Sequence, residues 1–447
     1  MFDPEKQAAD LARLYRELGD GICLYPFFGA FYQTNNVVPD SLDGMPNSVR
    51  PCSIVTGGAR RDTWSITDGS ITNARNSSLW RKMREDFLAG KFHEIEFCQI
   101  CSSNEKAGTT SPRMMNNKFY TEFLDIDLVE AVKKIEANDL EVTDILTLDY
   151  YPSNYCNYSC VMCAGGASSQ RHTFEIKIYG SKEKIMLNEP DADFLSVLDK
   201  VKIINFTGGE TVLQNQVHTM IDYLIERDMA KDLVITLLTN ASSFPEKLIE
   251  KFRNFKAVIY NVSIDGTKEV IEYQRRGCRW ADVETNAIRL MNHEFISSVI
   301  NFVLTGINAL SVMDFIDWAY ANGFGRKHEN DTCNYITVSP VFRVEHLGVA
   351  ALPPDLRELA LARLDHGRKK YMQMEDTIFN RYFVEIIDRF VSVIENTPYQ
   401  PRYLPLFIRQ IRTEDSASRR TLTQAVPEWA PYFTAIDDQA KETKVSS

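Results

Sequence analysis

From about residue 145 onward, short β-branched runs alternate with longer stretches whose apolar positions recur at helical spacing. The runs are "ILTLDYY" at 145, "VKIINF" at 201, "LVITLLT" at 233, "KAVIYNVSI" at 256, "SSVINFVLT" at 297 and "NYITVSPV" at 334, and each predicts a strand. The stretches between them predict helices over 190–200, 212–227, 245–254, 281–293 and 310–322. "SSFPEKLIEKF" places Ser ahead of Pro and Glu, as at a helix start. Strand and helix in alternation predict parallel strands joined by right-handed crossovers, closed or partly closed into a barrel. Ligands of such folds sit at the C-terminal ends of the strands.

The flanks do not follow this alternation. After an opening helix the first 144 residues are rich in Asn, Ser, Gly and Pro until "SSLWRKMREDFLAGKF", so they read as loop-rich. Beyond about 345, "PPDLRELALARLDHGRKKY" and "TIFNRYFVEIIDRFVSVIENT" predict Pro-bounded helices, and the polar end "KETKVSS" is expected to fray. The expected division is an N-terminal helix and loop-rich module over 1–139, a barrel over 140–345 and a helical extension over 346–447.

Composition narrows the function classes. A chain of 447 residues exceeds one ordinary core, and 44% hydrophobic with 25% charged residues is the balance of a folded globular protein. A formal charge of −11 provides no basic field for a phosphate backbone, so nucleic acid is not an expected partner. No run approaches the roughly 18 apolar residues that span a bilayer. The opening "MFDPEKQAADLARLYREL" is charged where a signal peptide is apolar, so a cytoplasmic protein with no membrane partner is expected.

Nine cysteines in such a chain point away from a disulfide framework and toward bound metal or reactive thiols. Cys156, Cys160 and Cys163 lie together in "YYPSNYCNYSCVMCAGG", directly after the first predicted strand. A structural zinc site would need a fourth ligand from elsewhere. An iron–sulfur cubane held by three thiolates leaves one iron open to a substrate or cofactor.

The CxxxCxxC spacing after a first strand resembles the hallmark of the radical S-adenosylmethionine (SAM) superfamily, although Met162 stands where an aromatic commonly precedes the last cysteine. "NFTGGETVL" resembles that family's GGE motif. Gly208 and Gly209 lack Cβ and let the backbone approach a ligand, and Glu210 adds an acceptor for an ammonium. "LLTNAS" and "NVSIDG" end the third and fourth strands, and by the same resemblance Asn240, Ser263 and Asp265 lie near the ribose or methionine end of SAM. "EVIEYQRRGCRW" resembles the stretch carrying an arginine for the SAM carboxylate, with Arg275 favoured over the adjacent Arg276. "VLTGIN", ending in Asn308, fits the family pattern without a firm role.

The resemblance implies an α/β fold, a partial (β/α)6 TIM-like barrel. It also implies a [4Fe–4S] cluster, SAM, an external one-electron reductant and a peptide or small-molecule substrate. Reductive cleavage of SAM gives methionine and a 5′-deoxyadenosyl radical that abstracts hydrogen from the substrate. The alternative is a zinc-stapled binding protein, without enzymatic activity, on a degenerate barrel.

Upstream, the segment from Asn73 to Asn117 resembles an auxiliary-cluster module of the twitch type, related to SPASM domains. It carries a helix with Arg and Met, then a CxxC, then Glu105, Gly108, Ser111, Arg113 and Asn116 at intervals. With "GICLYPFFGAF" and "NSVRPCS" it supplies Cys23, Cys52, Cys98 and Cys101. These imply an auxiliary [4Fe–4S] cluster, although zinc satisfies the same spacing. In many family members this module follows the barrel, whereas here it precedes it. Cys278 and Cys333 remain, either as small buried apolar side chains or as hydrogen-atom donors to a substrate radical.

Overall fold

The computed structural model describes residues 4–38, 48–53, 70–106, 108, 110–187, 190, 192–325, 334–341 and 344–434. The chain divides into two compact units, one of 1–156, 165–238 and 245–260, the other of 157–164, 239–244 and 261–447. The described strands are β1 (Gly29–Gln33), β2 (Asn35–Val38), β3 (Ser48–Arg50), β4 (Thr147–Tyr151), β5 (Ser159–Cys160), β6 (Lys184–Leu187), β7 (Ile203–Phe206), β8 (Val234–Thr239), β9 (Ala257–Ser263), β10 (Arg275–Arg276), β11 (Ile296–Leu304) and β12 (Asn334–Pro340). The six runs expected from the sequence are β4, β7, β8, β9, β11 and β12. The expected helices are present at Ala192–Val197, Asn215–Glu226, Glu246–Lys251, Trp280–Met291 and Val312–Ala321.

In the first unit the strand order is β3-β1-β4-β7-β8, followed by the first residues of β9. β1, β4, β7 and β8 are parallel, and β3 runs antiparallel on the edge. Leu148, Ile204 and Ile235 lie in register and are buried, as befits a parallel sheet covered on its faces. The next register along carries Asp149, Asn205 and Thr236. Asn205 Nδ2 donates to Asp149 Oδ1 (2.5 Å) and Thr236 Oγ1 donates to Asn205 Oδ1 (2.7 Å), a polar band that satisfies itself by hydrogen bonds. Burial nevertheless pushes the Asp149 carboxyl up to about 6.

The N-terminal segment departs from the loop-rich expectation. Helices Pro4–Leu18, Ser78–Leu88, Gln99–Lys106, Pro112–Phe123 and Leu128–Ala137 occupy much of it. In Ser78–Leu88 the residues Trp80, Met83, Arg84 and Phe87 recur on one buried stripe, which is why a segment rich in loop formers still folds as helix. β1 also joins the sheet by parallel pairing with β4, from Gly29 opposite Thr147 to Gln33 opposite Tyr151.

In the second unit the end of β9 is followed in sheet order by β11 and β12, the latter two parallel from Ser298 opposite Asn334 to Leu304 opposite Pro340. Helices Pro354–Met372, Ile378–Asn396 and Tyr403–Ser416 form the C-terminal extension. They share this unit's core, where Phe302 packs against Phe315 and Phe390 with ring centroids 4.8 and 4.9 Å apart. Trp429 stacks on Phe407 and its Nε1 donates to Gly306 O (3.1 Å). Among the described residues no helix is long and apolar enough to cross a membrane.

Candidate active site

The loop after β4 carries Cys156, and the first unit braces it from two sides. Ser168 caps helix Ser169–Tyr179 through its side chain, which places Ser169 at the helix start. There Ser169 Oγ accepts from Cys156 N (3.2 Å) and donates to Cys156 O (3.1 Å). On the other side is the loop after β7. Gly209 N donates to Ser153 O (3.0 Å) and Glu210 N donates to Tyr155 O (2.8 Å). A Cβ on Gly208 would stand 2.4 Å from Ser153 O, and one on Gly209 would stand 2.1 Å from Tyr155 O. The close approach these glycines permit is therefore to the cysteine loop itself. Gly208 also has a φ of +117°, which only glycine adopts readily. Glu210 is buried.

The second unit holds the rest of the loop. β5 pairs antiparallel with β10, setting Arg275 opposite Cys160 and Arg276 opposite Ser159. Val161 N adds a bond to Gln274 O (2.9 Å). Successive residues of a strand point to opposite faces, and the two arginines separate accordingly. Arg275 Nη2 lies 2.5 Å from Asp265 Oδ2, and its Nη1 reaches Cys160 Sγ at 3.9 Å. Arg276 instead pairs with Glu414 Oε2 at 2.7 Å. Hydrogen bonding with Cys163 and then burial hold the Cys160 thiol well above its ordinary value, while Arg275 acts in the opposite sense. Burial raises the Asp265 carboxyl against the pull of Arg275.

Asn240 Nδ2 donates to Asn157 Oδ1 (2.9 Å), and Asn157 Nδ2 donates to Ser242 Oγ (2.9 Å), so the loop after β8 grips the residue that follows Cys156. Ser263 is half-buried at the C-terminal end of β9. Asn308 Nδ2 donates to the carbonyls of Asp265 and Val303 (both 2.9 Å), which explains its position as a brace. Cys278 is buried in the turn after Arg275, and burial pushes its thiol up to about 12. Cys333 lies outside the described residues. Ser169 and Glu414 were not read from the sequence. The Ser-Ser pair ahead of the helix was a legible cap signal, whereas nothing local marks Glu414 as the partner of Arg276.

Cys23, Cys52, Cys98 and Cys101 line one cavity in the first unit, with Met83, Phe87, Phe92, Phe97 and Arg113 around them. Arg113 Nε and Nη2 pair with Glu105 (2.9 and 2.7 Å), Ser111 Oγ donates to Glu105 Oε1 (2.5 Å), and Arg113 Nη1 donates to Ile22 O (2.5 Å). Asn117 takes a bond from Leu24 N (3.0 Å) and gives one to Ile22 O (2.9 Å). Glu105, Ser111 and Arg113, together with Asn117 and not the expected Asn116, thus hold the backbone on both sides of Cys23, while Asn116 lines the cavity. Burial and then the neighbouring thiols push Cys23 well above its ordinary value, and burial raises Cys101 to about 11. Burial of Cys23, Cys98 and Cys101 in so apolar a cavity favours their protonated form unless a cation offsets the charge, which is the chemistry of a metal or cluster site. No group of three or more His, Cys, Asp or Glu among the described residues is placed to hold a single metal ion. Thiolates on a cubane each bind a different iron and so stand farther apart.

Comparison with known proteins adds the following. Residues 150–319 match the family described as the radical SAM superfamily. Among solved structures, the chain is similar to Streptococcus suis SuiB bound to S-adenosylmethionine at 18% identity, covering 57% of this chain and 51% of that one, with a TM-score of 0.34. It is similar to hexahistidine-tagged anSMEcpe with bound AdoMet at 18% identity, covering 51% and 61%, with a TM-score of 0.37. It is also similar to TYW1 with a lysine-pyruvate adduct bound, at 12% identity, covering 50% and 72%, with a TM-score of 0.30. The chain thus spans about half to three fifths of the first two. No curated protein matches it in sequence.

Proposed function

We propose that the chain is a radical SAM enzyme in which Cys156, Cys160 and Cys163 hold the SAM-cleaving [4Fe–4S] cluster. The observation that carries this reading is the bracing of the CxxxCxxC loop: the GGE loop bonds to the residues before Cys156, and Asn240 bonds to the residue after it. The donor set fits the group, with three thiols on an eight-residue loop and the Arg275 guanidinium beside one of them to offset thiolate charge. When bound, the cluster supplies the electron that cleaves SAM to methionine and a 5′-deoxyadenosyl radical. The chain's own residues position that chemistry: Glu210 accepts from the SAM ammonium, while Asn240 and Ser263 offer polar groups to the ribose or the methionine end. The substrate is a peptide or a small molecule, and an external reductant delivers the electron. Cys23, Cys52, Cys98 and Cys101 hold an auxiliary [4Fe–4S] cluster, and Cys278 and Cys333 are the candidate hydrogen donors.

The experiment is anaerobic purification and reconstitution, with iron, sulfide and zinc determined and 5′-deoxyadenosine measured after adding SAM and a reductant. The expected result is brown protein that releases 5′-deoxyadenosine, and Ser replacements at Cys156, Cys160 and Cys163 that abolish the release. Colourless protein with stoichiometric zinc and intact SAM overturns the reading in favour of a zinc-stapled binding protein.

A further inference from the structure

We propose that the buried Arg275–Asp265 ion pair beside Cys160 sets the reduction potential of the cluster, Arg275 raising it and Asp265 opposing that effect. The inference rests on the assignment of Cys160 as a cluster ligand.

Arg275 is delivered to Cys160 by backbone, since the antiparallel register of β5 and β10 sets the two residues opposite one another. Its guanidinium pairs with Asp265, which is fully buried. Asp265 is itself anchored, because its Oδ1 accepts from Val303 N (2.8 Å) and its carbonyl accepts from Asn308 Nδ2 (2.9 Å). Arg275 Nη2 meets Asp265 Oδ2 at 2.5 Å, and Arg275 Nε is a buried donor with no acceptor. Arg275 therefore keeps donor capacity beyond Asp265, and the thiol of Cys160 is within its reach at 3.9 Å.

Reduction adds one negative charge to a cluster and its thiolates. A buried cation donating to a ligand sulfur stabilises the reduced form, and a buried carboxylate opposes it. At this depth neither charge is strongly screened, so the two act on the potential with opposite signs. Asp265 tempers the charge of Arg275, whose place beside Cys160 the β5–β10 register sets. The placement gives Arg275 a role at the cluster in addition to the SAM carboxylate expected from the family resemblance.

The test is the midpoint potential of the reconstituted cluster, followed by electron paramagnetic resonance, in the parent chain and in Arg275→Gln, Arg275→Lys, Asp265→Asn and the Arg275→Gln/Asp265→Asn double variant. Arg275→Gln is expected to lower the reduced-to-oxidised ratio at fixed potential at least tenfold, ~59 mV for one electron. Asp265→Asn raises it, and the double variant returns toward the parent. Arg275→Lys keeps the charge and stays nearer the parent than Arg275→Gln, which guards against a folding defect in the neutral variant. Asp265→Asn with full iron and an unmoved or lowered potential overturns the proposal, because a structural role alone does not produce opposed shifts. A parent chain without cluster or 5′-deoxyadenosine instead overturns the functional reading beneath it.

Discussion

A methyl group placed on Gly209 meets Tyr155 O at 2.1 Å, Tyr155 C at 2.5 Å and Asn154 C at 2.7 Å. All three are backbone atoms, so no side chain can rotate away, and the loop at Asn154 and Tyr155 has to retreat by more than about 1 Å to reach an ordinary contact. Overpacking of this kind costs about 1–3 kcal/mol. The retreat also stretches the bonds from Gly209 N to Ser153 O and from Glu210 N to Tyr155 O, each contributing about 1 kcal/mol. Gly209→Ala is therefore expected to lose roughly 3 kcal/mol, on the order of 100-fold, in retention of the cluster at Cys156. The assay is iron and sulfide content with 5′-deoxyadenosine yield after anaerobic reconstitution. Gly180→Ala is the control, because Gly180 has φ of +67° but open space around its Cβ position. It should cost about 1 kcal/mol of stability through backbone strain alone, read as a lower Tm, and leave the iron in place. If Gly209→Ala carries full iron and cleaves SAM at the parental rate, the glycine pair is not what braces the loop and the steric reasoning fails.

Arg276→Ala strands the fully buried Glu414 carboxylate, so a stability loss of about 3–5 kcal/mol is expected in denaturant titration, with Glu414→Gln added to Arg276→Ala recovering part of it. The Asp149 carboxyl is raised to about 6 in the fold from 3.8, so the folded state binds more protons than the unfolded one between those values. Its contribution becomes less favourable as pH rises through that window. Asp149→Asn should therefore stabilise at pH 8 by on the order of 2–3 kcal/mol and give no gain at pH 3, as measured by unfolding midpoints at the two pH values. Cys98→Ser should lower iron by about four per chain and depress Tm while substrate-free release of 5′-deoxyadenosine persists. Iron unchanged with loss of zinc instead would assign the N-terminal thiols to zinc.

The candidate site residues were legible where they depend on spacing along the chain. Three cysteines in eight positions, a GGE stretch and polar residues each follow a run that alternates as a strand does. The strand and helix patterns located β4, β7, β8, β9, β11 and β12 and five of the helices between them, but neither the parallel strand β1 nor helices Ser169–Tyr179 and Lys268–Gln274. Less legible was the rest of the N-terminal segment, where helices Gln99–Lys106, Pro112–Phe123 and Leu128–Ala137 were not expected.

What the sequence by itself determined is thus the set of thiols and the strand ends that carry them, because covalent order and side-chain period are local properties. The tertiary structure decided what each neighbour is for. Arg275 and Arg276 are adjacent and chemically identical, yet a two-residue strand turns one to Cys160 and Asp265 and the other to Glu414, which lies 138 positions away in the chain. The glycines of the GGE loop meet the carbonyls of Ser153 and Tyr155, and β1 pairs with β4 across more than a hundred residues of chain. No local pattern encodes such contacts, since they follow from which faces meet once the strands have packed.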